Sequence, residues 1–216
     1  RDLMLNGMDV ARLNFSHGSH EEALERINRI KKVRDELNIP VAILLDTKGP
    51  EVRIKDFKEG KVELKEGQKF TLCTDDVVGD ENQVSITYAN LPNDVKVGSK
   101  ILIDDGLIEM EVISVKNSKI LCKVKNGGVV SNKKGVNVPN VALSMPYMSQ
   151  KDIDDILFGI EQDVDFIAAS FVRTANDIRE IKTLLRDNGG RDIRIIAKIE
   201  NAEGVDNIDD IIRETH

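Results

Sequence analysis

Four short apolar runs constrain this chain more than any other feature, because each is apolar along one face and turns polar along the other at its C-terminal end. Side chains alternate between the faces of a strand. In VARLNFS, Ala11, Leu13 and Phe15 share one face and Arg12, Asn14 and Ser16 the other. In VAILLDTK, Val41, Ile43 and Leu45 oppose Ala42, Leu44, Asp46 and Lys48. In DFIAASFV, Ile167, Ala169 and Phe171 oppose Phe166, Ala168 and Ser170. In DIRIIAKIE, Ile193, Ile195, Ala197 and Ile199 oppose Arg194, Ile196, Lys198 and Glu200. A parallel barrel accounts for this pattern: one face of each strand meets outer helices, the other points inward, and site residues gather at the C-terminal mouth. A doubly wound sheet also binds ligands at its carboxyl ends, but it has helices on both faces, where inward lysines and arginines are harder to house.

Helical periodicity fills the gaps between the runs. SHEEALERINRIKKVRDELN places Ala23, Leu24, Ile27, Ile30, Val33 and Leu37 at helical spacing behind a capping Ser19. SQKDIDDILFGIEQ reads as a helix capped by Ser149, and TANDIREIKTLLRDNGG as one stopped by Gly189 and Gly190. NAEGVDNIDDIIRET reads as a single last helix. From about Arg53 to Pro139 the texture is all β: KVELKEGQKFTLCT, QVSITY, SKILIDDGLIEMEVISV and KILCKVKNGG alternate, with glycine and asparagine turns between them. The expected fold is α/β, a partial parallel (β/α)8 TIM barrel interrupted by a small all-β lid domain. Residues 1–50 form the first part of the barrel, 51–145 the inserted β-barrel, and 146–216 the continuation. About half the strands of an eight-stranded barrel are accounted for. The chain opens inside a helical pattern and stops at NIDDIIRETH, so the expectation is a segment of a longer protein.

The formal net charge of −7 argues against nonspecific nucleic-acid binding. No apolar run approaches the roughly 20 residues of a membrane helix. Cys73 and Cys122 lie in separate strand-like segments, with no zinc-ligand spacing, and read as two reduced thiols of a cytoplasmic protein.

Arg12, Lys48, Arg53 and Lys198 bring four cations towards one mouth, and Asp46 and Glu200 bring hard oxygen ligands. Asn14, Ser16 and Thr47 add neutral oxygens, and a neutral-rich cage with one carboxylate suits a monovalent cation better than magnesium. Magnesium takes one or two carboxylates plus substrate oxygens, and arginine and lysine suit a phosphoryl group. Phosphoryl transfer depends mainly on positioning and charge stabilisation, which this set supplies. Plainer roles stand beside these. His17 reads equally as a cap or surface residue, His20 as a cap or surface residue, Lys133 and Lys134 as a solvated turn, and DIDD from Asp152 as dipole-matched acid in a first helical turn.

ARLNFSHGSHE, LLDTKGPEVR, KKGVNVP, FGIEQDVDFIAASFVR and AKIENAEGV, in this order around a β module, closely resemble pyruvate kinase across essentially the whole chain. The resemblance implies phosphate transfer from phosphoenolpyruvate to ADP, giving pyruvate and ATP, with Mg2+ (or Mn2+) and K+ as cofactors, in a cytoplasmic homotetramer without nucleic-acid or membrane partners. It implies that Lys198 and Arg12 are catalytic, that Arg12, Ser170 and Lys198 hold substrate, and that Asn14, Phe15, Ser16, His17, Arg53 and Lys134 contact the nucleotide. It assigns magnesium to Glu200 and potassium to Asn14, Ser16, Asp46 and Thr47. Glu51, in GPEVR, goes in this family with potassium dependence. The family's second metal ligand and proton donor lie outside this sequence, so the segment alone is expected to be inactive or very weak. Gly49–Pro50 and VPNV at 138–141 are the expected hinges of a closing lid. A metal-dependent, pyruvate-utilising barrel aldolase and a non-catalytic binding fragment are the competing readings; LDTKGPEVR and the inserted module count against the aldolase.

Overall fold

The structure, a computed structural model, describes residues 1–215, and it divides into two compact units: Arg1–Pro50 with the segment from Pro146 onwards, and Glu51–Met145. His216, the last residue of NIDDIIRETH, lies outside the described residues.

The first unit begins with α1 (Asp2–Leu5), β1 (Val10–Asn14), α2 (His20–Leu37) and β2 (Ala42–Asp46). Ser19 caps α2 by accepting from Glu22 N, and Asn38 ends it at φ +52, a left-handed conformation that asparagine tolerates. The second unit holds β3 (Val52–Arg53), β4 (Lys61–Leu64), β5 (Lys69–Cys73), β6 (Gln83–Ser85), α3 (Leu91–Asp94), β7 (Lys100–Ile103), β8 (Ile108–Lys116), β9 (Lys119–Val124), β10 (Gly128–Ser131) and β11 (Gly135–Asn137). The first unit resumes with α4 (Gln150–Glu161), β12 (Phe166–Ala169), α5 (Ala175–Asp187), β13 (Arg194–Ala197), α6 (Ala202–Asp206) and α7 (Ile208–Thr215).

In the first unit the strands pair in the order β1-β2-β12-β13, all parallel. Leu13, Phe15, Ile43, Leu45, Ile167 and Ala169 pack on one face against Ala23 and Ile27 of α2, Ile156 of α4, Ile178, Ile181 and Leu185 of α5 and Ile211 of α7. Each fully buried aliphatic side chain here contributes about 1.5–3 kcal/mol. Gly159 lets α4 approach the sheet closely, since a Cβ there would stand 2.9 Å from Leu45. The opposite face carries exposed Arg12, Asn14, Arg194 and Ile196 and half-buried Leu44 and Phe166. Neighbouring strands that follow chain order, with helices packed on one face, are the layout of a partial (β/α) barrel.

The second unit pairs seven strands in the order β3-β11-β7-β8-β9-β5-β6, mostly antiparallel, with β5 and β6 parallel. The two ends of that series meet: Ile54 bridges Ile86, Lys55 N donates to Ser85 O, and Thr87 N donates to Arg53 O. The sheet therefore closes into a small barrel around Phe70, Leu72, Ile101, Ile103, Met110, Val112, Ile120 and Val124.

Several boundaries differ from the sequence pattern. The last helix is two helices, because Asn207 ends α6, accepts from Ile211 N to start α7, and turns its amide onto Arg173 O at 3.0 Å. KVELKEGQKFTLCT breaks into β4 and β5 at a left-handed Gly67 (φ +81), and SKILIDDGLIEMEVISV breaks at left-handed Asp104, Asp105 and Gly106. The run DFIAASFV leaves the strand at Ala169, and Phe171 takes φ +55 instead of continuing the alternation.

Cys73 and Cys122 are both free and fully buried. Burial pushes the Cys122 thiol up to about 12 and raises Cys73, burial again being the largest cause. The thiolate is the reactive form, so neither cysteine should alkylate measurably with iodoacetamide at pH 8 in the folded protein, and both should do so in denaturant. Rapid native labelling of Cys122, read by mass spectrometry, would contradict this packing.

Candidate active site at the carboxyl end of the parallel sheet

The strand register assembles the site. Asn14 pairs with Asp46, and Asp46 with Ala168, so the polar ends of three strands arrive at one level, with Lys198 two residues past Ile196, the partner of Ala168. Asp46 is the hub and is only 2% exposed. A carboxylate so buried needs charged partners, and it has two. Arg12 Nε donates to Oδ2 at 2.7 Å, with a second guanidinium nitrogen on the same oxygen, and Lys198 Nζ donates to Oδ1 at 2.9 Å. Arginine's fork suits such paired contact.

Lys198 is held from three further directions. Its ammonium donates to Ser170 Oγ at 2.8 Å and lies 3.4 Å from Glu200 Oε1. Its backbone N–H donates to Ala169 O at 2.9 Å. Ser170 is fixed in turn: its hydroxyl donates to Thr47 O at 2.6 Å and lies 3.2 Å from Asp46 Oδ1, while its N–H donates to Thr47 Oγ1 at 3.1 Å. Glu200 Oε2 accepts from Phe171 N at 3.0 Å, which accounts for the left-handed turn at Phe171, an uncommon conformation for an aromatic residue. The Lys198 side chain keeps 29% exposure, so its charge is anchored yet reaches solvent.

The other expected residues divide. Asn14 is exposed, and its Oδ1 accepts from Ser16 N at 2.8 Å, shaping the turn after β1. His17 is exposed within that turn. The Phe15 ring is buried in the core, 5.9 Å from that of Phe158; its N–H donates to Asp46 O and its carbonyl accepts from Lys151. The Thr47 hydroxyl is used by Ala168 O and Ser170 N, and its carbonyl accepts from the Ser170 hydroxyl, which leaves that oxygen a second lone pair. Lys48 is half-buried and makes no ion pair or hydrogen bond among the described residues.

Within the β unit, Arg53 pairs with Glu51 and donates to Lys133 O at 2.5 Å, while its buried Nε has no partner. Lys134 Nζ lies 2.9 Å from Asp104. Lys133 holds a left-handed turn at φ +59.

Pattern reading passed over residues behind the site. Asp152 does more than match the helix dipole: it completes a capping box with Ser149 and accepts from Gly49 N at 2.9 Å. Asp155 is 1% exposed and pairs with His20 and Lys151. Tyr147 OH donates to Ser170 O at 3.0 Å, and burial, the largest cause, raises its phenol further, so it stays a donor. One signal was available: Asp152 and Asp155 fall on the same stripe of α4 as buried Ile156 and Gly159.

A partial parallel barrel, an inserted closed β unit, and an anchored lysine, arginine and two carboxylates at the carboxyl ends define the class: a (β/α) barrel protein with a charged cluster at the mouth of the sheet. The family described as "Pyruvate kinase, barrel domain" matches residues 1–216, and the chain belongs to the pyruvate kinase family. It is 49% identical over its whole length to the pyruvate kinase of Clostridium perfringens, covering 46% of that protein. It is 54% identical over 212 residues, 97% of the chain and 36% of the relative, to that of Geobacillus stearothermophilus. Over 207 residues, 95% of the chain and 44% of the relative, it is 51% identical to that of Clostridium acetobutylicum. The chain thus spans less than half the length of these relatives.

Proposed function

We propose that the full-length protein carrying this chain transfers the phosphoryl group of phosphoenolpyruvate to ADP, giving pyruvate and ATP, as a glycolytic enzyme of the cytoplasm assembled from four copies. The observation that carries the reading is Lys198, a cation fixed by Asp46, Ser170 and Glu200 at the sheet's carboxyl end and still open to solvent. Family membership supports it. Lys198 would stabilise the charge of the phosphoryl group in flight, and Arg12, exposed beyond Asp46, would hold the phosphate. Ser170 would keep the Lys198 ammonium in place and border the substrate. Asn14, Ser16 and His17 would face the nucleotide from the turn after β1, with Arg53 and Lys134 of the β unit as further nucleotide contacts. Phe15 would take part through its backbone position, since its ring is in the core. The β unit would act as a lid that excludes water, with Gly49–Pro50 and residues 138–141 as hinges.

The donor set fits the family's ions. Glu200 is one exposed carboxylate, and among the described residues no three His, Cys, Asp or Glu side chains converge, so Glu200 would supply one magnesium ligand, the others coming from substrate, water and the second protein ligand that the family resemblance puts outside this sequence. Bound there, it would neutralise phosphate charge. Asn14, Ser16, Asp46 and the Thr47 carbonyl offer mainly neutral oxygen with one carboxylate, which suits potassium. Glu51 pairs with Arg53 and adds no cation of its own. Turnover should therefore rise at least about tenfold when potassium replaces choline at constant ionic strength, the size expected when one site of about 1.4 kcal/mol is filled. Equal rates in potassium-free sodium or choline buffer would remove potassium from the account.

A further inference from the structure

We propose that Asp155, with His20 and Lys151, is a positioning latch that fixes the turn between β1 and α2 and thereby sets affinity for the nucleotide. The turn, Ser16 to Ser19, is pinned at both ends by one buried carboxylate. At its far end, His20 Nε2 lies 2.7 Å from Asp155 Oδ1. A carboxylate only accepts, so Nε2 carries the hydrogen. At its near end, Lys151 Nζ donates to Asp155 Oδ2 at 2.6 Å and also to the carbonyl of Phe15, the residue just before the turn, at 2.8 Å. The rings reinforce the clasp: His20 stacks on Phe158 at 4.4 Å and 20°, and Phe15 packs 6.1 Å from His20 and 5.9 Å from Phe158.

Simpler roles leave these contacts unexplained. Ser19 already caps α2, so His20 is not needed for capping. An exposed i,i+4 lysine–aspartate pair stabilises a helix only weakly, yet Asp155 is 1% exposed and Lys151 makes a second hydrogen bond to a backbone carbonyl from another element. A carboxylate taken from water is costly unless each oxygen is matched, and here the matching partners are the two that border the turn. The arrangement ties α4 to the segment carrying Asn14, Ser16 and His17, and Asp155, His20 and Lys151 make no hydrogen bond or ion pair with Arg12, Asp46 or Lys198. Its functional consequence rests on the nucleotide role proposed above for that segment.

The experiment uses the full-length protein and compares Asp155→Asn, His20→Ala and His20→Gln, whose side-chain amide can replace the Nε2 donor. Hydrogen exchange followed by mass spectrometry reads the latch without reference to activity. Exchange over residues 14–19 should quicken at least about tenfold in Asp155→Asn and His20→Ala, stay near the unaltered rate in His20→Gln, and be unchanged over the body of α2. In steady-state assays the same two variants should raise the KM for ADP about tenfold, with kcat and the KM for phosphoenolpyruvate within about threefold. Unchanged exchange in His20→Ala, whose ring is 39% exposed and whose loss the fold should tolerate, overturns the latch. Faster exchange with all kinetic constants unaltered, or moving together, overturns its positioning role. Should the unaltered protein show no phosphoryl transfer, the proposed reaction fails, while the exchange result still decides the latch.

Discussion

Replacing Lys198 by methionine is expected to lower kcat by about a thousandfold or more, the range seen when a single preorganised charge at a transferring group is removed. The reason lies in the geometry. Lys198 is a cation at the carboxyl end that is fixed by Asp46 and Ser170 and still partly exposed. Methionine keeps the length of the side chain and removes the charge. Because the charge matters most where negative charge develops, the KM for phosphoenolpyruvate should move far less than kcat. Asp46 keeps its contacts with Arg12, so the fold should survive, and circular dichroism controls for that. A Lys198→Met protein with near-normal kcat would remove Lys198 from the chemistry.

The second large effect is structural. Gly49→Ala should destabilise the barrel unit by about 3 kcal/mol, the sum of a left-handed penalty and a steric clash. Gly49 sits at φ +66, and a Cβ there would stand 2.5 Å from the carbonyl oxygen of Ser170. Nothing near it yields easily: that carbonyl accepts from Tyr147 OH, and Gly49 N–H is held by Asp152. Relief would come by moving Ser170, and Ser170 carries Lys198. The variant should therefore lose both stability, read by chemical denaturation, and activity. A Gly49→Ala protein with an unchanged midpoint would show that the close approach of Gly49 to Ser170 is not maintained in solution.

Much of the barrel was legible because period-two and period-3.6 patterns leave different marks. The sheet face defined by Leu13, Phe15, Ile43, Leu45, Ile167 and Ala169 is buried as alternation requires, and Ser19 and Ser149 cap as their positions suggested. What the pattern missed was local competition. Asn207 is polar enough to end one helix and begin the next inside an otherwise continuous helical period. At Phe171, the bond from its N–H to Glu200 overrides a run that reads as strand to its end. A strand stops where a distant carboxylate offers a better partner, and no local period records that.

The site was legible to the same degree. Asp46, Lys198, Arg12 and Ser170 could be expected to converge because alternation and register bring them to or near the ends of neighbouring strands, and the structure does bring these four together. The groups that hold them were hidden. Asp152 and Asp155 look like ordinary first-turn acids until the stripe they share with Ile156 and Gly159 is seen to face inward. Tyr147 lies in the irregular stretch before α4, where no periodicity constrains it, and its hydrogen bond to Ser170 spans 23 residues.

The most direct test is pyruvate formation from phosphoenolpyruvate and ADP by the full-length protein, with magnesium and potassium present. The account predicts steady production of pyruvate and ATP in equal amounts. No turnover by a folded, full-length protein under those conditions would contradict it.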